Sequence, residues 1–211
     1  LVFAPAAPEV AYAATGTGIW RTPDAGLQWT QVLSTTGAAD IAVGLDSRVY
    51  AIVGNQVAYS DDEGASCQPI PGPAALRYLP TLGLSADGAG LFAAGGPDLY
   101  RYDIGSNRML TVTTDLVTGY IHRLALSPTF GSDSTILLGE LNGVWLSQDA
   151  GATFVRGEGF SLMPVRSIQA IGDRHDGDLF AGGQNGIWRH DGEGWHSLNT
   201  GVLGTMASTV A

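Results

Sequence analysis

The side chains of this 211-residue sequence that could do chemistry are mostly acidic. Twenty aspartates and glutamates stand against ten basic residues, for a formal net charge of −10. All ten basic residues are arginine. The absence of lysine excludes a Walker-type phosphate loop, a Schiff-base enzyme and a lysine general base. The acidic balance argues against nucleic acid as a partner, because phosphate binding needs clustered positive charge. Cys67 is the single cysteine. That excludes an intramolecular disulfide, a four-cysteine zinc site and an iron–sulfur cluster.

None of the remaining candidates assembles into a reactive constellation. His122, His175, His190 and His196 form no motif. Residues 172–178 (GDRHDGD) group three aspartates with His175, but no second ligand cluster stands at metal-ligand spacing, so a polar turn is the expectation. Asp61-Asp62-Glu63 lacks the alternating oxygen ligands of a calcium loop. No G-x-S-x-G elbow supports a serine hydrolase. Cys67 is read as a packing residue. No catalytic residue, metal ligand or cofactor site is therefore assigned, and no cofactor is expected.

One acidic pattern does recur. Thr22-x-Asp24-x-Gly26-x-x-Trp29, Ser60-x-Asp62-x-Gly64-x-Ser66-Cys67 and Ser147-x-Asp149-x-Gly151-x-Thr153-Phe154 share one spacing. Shortened versions stand at 102–109 and 190–195. A hydroxyl and a carboxylate so placed hydrogen-bond the N–H groups of their own turn. The glycine permits the positive φ that reverses the chain. The closing aromatic is expected to bury its face beside the next repeat. The pattern resembles the Asp-box, or BNR, repeat of sialidases, sortilin-type luminal domains, some xyloglucanases and photosystem II assembly-factor propellers. The resemblance covers essentially the whole chain. It implies a propeller fold and leaves function open, since those relatives do different things.

The elements that carry these turns repeat as well. Apolar runs beginning at Leu1, Ile41, Leu82, Leu124 and Ile168 lie 40, 41, 42 and 44 residues apart. Each is followed by a second apolar run and by a third run with an aromatic in most copies, at Trp20, Tyr100, Trp145 and Trp188. A turn and a fourth short run complete the unit. Thirty glycines and 14 % charged residues suit short strands joined by tight turns. Four strands at this period are the signature of a β-propeller blade. The expected fold is an all-β propeller forming a single domain over 1–211. Its repeats fall at 1–40, 41–81, 82–123, 124–167 and 168–204, with 205–211 as an opening or closing strand. Leu1 lies inside a first strand, so the five units are expected to be part of a larger propeller. No stretch supplies about 20 uninterrupted apolar residues, so no membrane span is expected.

In such a fold, function gathers on the rim opposite the acidic turns. The loops expected there are 31–40, 68–81, 110–122, 155–167 and 197–204. They or their borders carry Arg77, Tyr78, Tyr120, Arg123, Arg156, Phe160 and Arg166, the composition of interaction hot spots. The expectation is a non-catalytic interaction or assembly module. Its partner is a protein, with a glycan as the other candidate, and its place is secreted, periplasmic or cell-surface, within reach of a membrane-associated complex. The alternative is a fragment of an Asp-box glycoside hydrolase or sialidase. Against it, the acids on the candidate rim are sparse: Asp40, Asp98, Asp115, Glu140 and Glu158. A retaining glycosidase needs two carboxyls about 5 Å apart, and no such pair is singled out.

Overall fold

The second runs of the repeats are continuous rather than alternating. VYAIV, LFAAG and ILLGE are the clearest examples. A strand of that kind must be covered on both faces. In the computed structural model, Leu91–Gly95 and Ile136–Glu140 are buried throughout, and Val49–Val53 in all but its last residue. The structure describes residues 1–73, 79–88, 90–103, 105–113, 116, 120–159, 165–171, 178–184 and 186–200.

The chain forms five antiparallel four-stranded sheets, each built from strands in sequence order. Blade 1 comprises β1 (Val2–Ala4), β2 (Ala7–Thr15), β3 (Gly18–Thr22) and β4 (Thr30–Ser34). Blade 2 comprises β5 (Ala38–Val43), β6 (Val49–Val53), β7 (Gln56–Ser60) and β8 (Gln68–Pro69). Blade 3 comprises β9 (Thr81–Leu84), β10 (Leu91–Gly95), β11 (Asp98–Asp103) and β12 (Arg108–Thr113). Blade 4 comprises β13 (Ile121–Leu126), β14 (Ile136–Glu140), β15 (Gly143–Ser147) and β16 (Val155–Arg156). Blade 5 comprises β17 (Val165–Ile171), β18 (Asp178–Gly183), β19 (Gly186–His190) and β20 (Trp195–Ser197). The one helix among the described residues is α1 (Phe130–Asp133), a single turn between β13 and β14.

The core lies between the blades, and the two-residue period of a strand explains why. On β6, Ala51 packs in a cluster with Tyr12 and Ile19 of blade 1. Its neighbours Tyr50 and Ile52 point the other way, to Leu82, Leu91 and Met109 of blade 3. On β10, Ala93 belongs to the layer facing blade 2, while Phe92 and Ala94 meet Ile121, Leu124 and Phe130 of blade 4. On β14, Ile136 and Leu138 face blade 3, and Leu137 faces Val165, Ile168 and Leu179 of blade 5. Each inter-blade layer is thus an apolar sandwich filled from both sides. The third-strand aromatics Trp20, Tyr100, Trp145 and Trp188 sit in register on β3, β11, β15 and β19.

The loops on the candidate rim are shorter than the sequence suggests. Residues 31–34, 68–69, 110–113 and 155–156 belong to the fourth strands. Those strands are mostly exposed, so their polar composition reads as loop. Residues 74–78, 160–164, 172–177 and 201–211 lie outside the described residues. They take with them Arg77, Tyr78, Phe160, most of the GDRHDGD segment and the 205–211 strand.

Candidate functional site

The acidic turns share one geometry. Thr22, Ser60 and Ser147 are buried at the ends of β3, β7 and β15. Each hydroxyl accepts the N–H of the turn glycine, at 2.9 Å from Gly26, 2.8 Å from Gly64 and 2.8 Å from Gly151. Each hydroxyl also donates to its aspartate, at 2.7, 2.7 and 2.8 Å for Asp24, Asp62 and Asp149. The carboxylate then accepts a backbone N–H four residues on, from Gln28, Ser66 and Thr153. In blades 2 and 4 the hydroxyls of Ser66 and Thr153 add a second bond at 2.6 Å. Those bonds hold all three carboxyls below the ordinary range, and Asp62 is pushed down to about 2, the Ser66 hydroxyl contributing most. Both oxygens of Asp62 and Asp149 are occupied within their own turns.

The chain reverses through two successive positive-φ residues. These are Ala25–Gly26, Glu63–Gly64 and Ala150–Gly151. The sequence signals the glycines but not the left-handed Ala25 and Ala150, since alanine has no preference for that conformation. The turn leans on the preceding blade, not the next one as the sequence suggests. A Cβ on Gly64 would meet Val32 of blade 1 at 2.9 Å, and one on Gly151 would meet Val112 of blade 3 at 3.0 Å. Phe154 and Cys67 fill the same inter-blade layers. Burial pushes the Cys67 thiol up, and Asp62 adds to the shift. In blade 1, a Cβ on Gly26 would meet only the Trp29 indole, at 3.9 Å, and Trp29 is 37 % exposed.

Because hairpins alternate ends, the β2–β3-type turns and the blade-to-blade links lie on the opposite rim. There the first strands of blades 4 and 5 carry β-bulges, between Ile121 and Arg123 and between Val165 and Ser167. A bulge re-aims side chains near the rim. Arg123 donates from Nε to the Arg166 carbonyl and from Nη1 to the His122 carbonyl, each at 2.8 Å. It thereby ties blade 4 to blade 5. Asp40 does the same between blades 2 and 3, accepting the Leu82 N–H at 2.8 Å. Arg166 is exposed, and its guanidinium makes no hydrogen bond or ion pair among the described residues. Tyr120 is 53 % exposed, its ring 6.4 Å from that of His122. The structure therefore brings Tyr120, Arg123 and Arg166 together. Arg156 is engaged by the β14–β15 turn, its Nη2 donating to the Asn142 carbonyl at 2.6 Å.

Two of the rim acids, Asp98 and Glu140, are withdrawn from solvent, whereas Glu158 is exposed and Asp115 lies outside the described residues. Glu140 accepts from the Trp145 indole N–H at 3.0 Å, and Asp98 accepts from the Tyr100 hydroxyl at 3.1 Å; the two residues are 2 % and 5 % exposed. His122 Nε2 and Glu140 Oε2 are buried with no hydrogen-bond partner among the described residues. Burial and the Arg123 and Arg166 guanidiniums pull the His122 imidazole below its usual range, against an opposing pull from Glu140. Those influences together favour the neutral imidazole. The arrangement presents planar cationic donors, suited to bidentate carboxylate contact. Sequence reasoning missed Asp40 as an inter-blade tie, and Ser85 with Asp87, which build another hydroxyl–carboxylate turn and reach the Gly131 N–H of blade 4 at 2.7 Å. The Ser-x-Asp spacing was its only signal.

No protein-family profile matches the sequence, and no curated protein does. Solved structures do match. The GH74 xyloglucanase from Xanthomonas campestris superposes with a TM-score of 0.67 at 14 % identity, over 90 % of this chain and 36 % of its own. The extracellular domain of the putative one component system BT4673 from B. thetaiotaomicron gives 0.73 at 13 %, over 96 % and 28 %. YCF48 from Cyanidioschyzon merolae gives 0.62 at 17 %, over 85 % and 65 %. The fold is a β-propeller. At these identities the likeness speaks for fold alone, and the chain spans about a third of the length of the GH74 and BT4673 chains.

Proposed function

We propose that the chain is an Asp-box propeller, one domain with repeats at 1–40, 41–81, 82–123, 124–167 and 168–204, and that it works as a non-catalytic interaction module. The observation that carries the reading is the guanidinium pair at the rim between blades 4 and 5. Arg123 is fixed by two backbone carbonyls, one of them that of Arg166, whose exposed guanidinium has no partner among the described residues. In a molecule of net charge −10, such a pair steers an acidic protein partner to one place. Tyr120 supplies an exposed aromatic anchor next to it. The turn aspartates are structural on this reading, since Asp62 and Asp149 spend both oxygens, and Asp24 its Oδ1, on N–H and hydroxyl groups of their own turns.

The hydrolase alternative has less support. Asp98 and Glu140 are withdrawn from solvent and engaged by third-strand aromatics. No helix among the described residues is long and apolar enough to cross a membrane. An extracytoplasmic place fits a fold shared with a domain described as extracellular. The test is affinity capture from native extract with wild-type protein and the Arg166→Ala variant. The reading expects a salt-sensitive partner whose recovery falls about tenfold in the variant. Equal recovery by both proteins contradicts it.

A further inference from the structure

Blades 2 and 4 press a full turn against the blade before them, through Gly64 with Cys67 and Gly151 with Phe154. Blade 5 carries only the shortened turn at 191–194, where the Asp191 carboxylate accepts the Glu193 and Gly194 N–H groups. The space that a full turn would occupy is open. A groove of about 550 Å³ lies between the outer strands of blades 4 and 5, lined by Leu146, Val155, Arg156, Glu158, Glu193 and Trp195 among others. That volume is within the range that holds a ligand-sized group.

The lining mixes apolar and charged side chains, and it sets two carboxylates, Glu158 and Glu193, against the single guanidinium of Arg156. Val155 is 71 % exposed, and Trp195 is half-buried with its ring edge-on to His190 at 5.3 Å. The Arg156 guanidinium is engaged by the Asn142 carbonyl. Glu158 and Glu193 are exposed, and their carboxylates make no hydrogen bond or ion pair among the described residues. An indole beside carboxylates attracts a cation carried on an apolar stem, through ring quadrupole and charge together. We propose that this groove is a second binding site, separate from the arginine rim, and that it takes a lysine or arginine side chain of a basic peptide segment. The stem packs on Val155 and Trp195, and the head group pairs with Glu158 and Glu193.

The test is a titration of the ¹⁵N-labelled chain with acetyl-Gly-Arg-Gly-amide and its lysine analogue, read at the Trp195 indole N–H and assigned with Trp195→Phe. A saturable shift is expected. Glu158→Gln with Glu193→Gln, two exposed isosteric changes, should weaken binding about tenfold or more. Acetyl-Gly-Glu-Gly-amide and a neutral cello-oligosaccharide should leave the signal unmoved. The proposal is overturned by an unmoved signal with both basic peptides, by unchanged affinity in the double variant, or by a response to the oligosaccharide in place of the basic peptides.

Discussion

Ser60 Oγ is buried, accepts the Gly64 N–H and donates to Asp62. Ser60→Ala therefore leaves a buried N–H unpaired and should cost about 1–3 kcal/mol in urea unfolding. Asp62 contributes in a way that depends on pH. Its folded pKa of about 2 lies below the unfolded value, near 3.9. The contribution is complete above the unfolded value and is lost as pH falls through the folded one. Asp62→Asn should thus be less stable than wild type at pH 6, and the gap should close as pH approaches about 2; a gap that is constant with pH contradicts the assignment. The residue types of these turns were legible in the sequence, because each does a job only a short hydroxyl, a carboxylate or a glycine can do. Ala25 and Ala150 were not legible, since their left-handed backbone is imposed by the hydrogen bonds around them.

Among elements, the turns act as wedges between blades. Gly151 has φ +92 and would bring a Cβ to 3.0 Å from Val112, whereas Gly88 has φ +72 and open space around it. Gly151→Ala should lower the thermal midpoint more than Gly88→Ala, because it adds an inter-blade clash to the backbone strain they share. Arg123→Ala removes a tie between β13 and β17, so it should cost about 0.5–1.5 kcal/mol of stability besides any loss of binding. The sequence alone treats Arg123 and Arg166 as equivalent surface residues. The bulges that separate their roles, between Ile121 and Arg123 and between Val165 and Ser167, leave no mark in residue type. The first, second and third strands were readable from continuous apolar runs and from the aromatics at 20, 100, 145 and 188. A fourth strand was expected in each repeat but was largely taken into the loops, because β8 and β16 are two exposed residues each.

For the whole molecule, the propeller and its period were legible because every blade repeats the same burial problem. The rim proposed to bind a partner was legible only as a list of loops. The pairing of Arg123 with Arg166, forty-three residues apart in the chain, needs the blades in place. The central claim is that this rim receives the partner. It is tested most directly by hydrogen–deuterium exchange on the chain alone and in complex with the captured partner. The account predicts that binding slows exchange at 120–123 and 165–167 and leaves the turns at 22–29, 60–67 and 147–154 unchanged. Protection confined to those turns or to the outer fourth strands, with 120–123 and 165–167 exchanging as in the free chain, would contradict it.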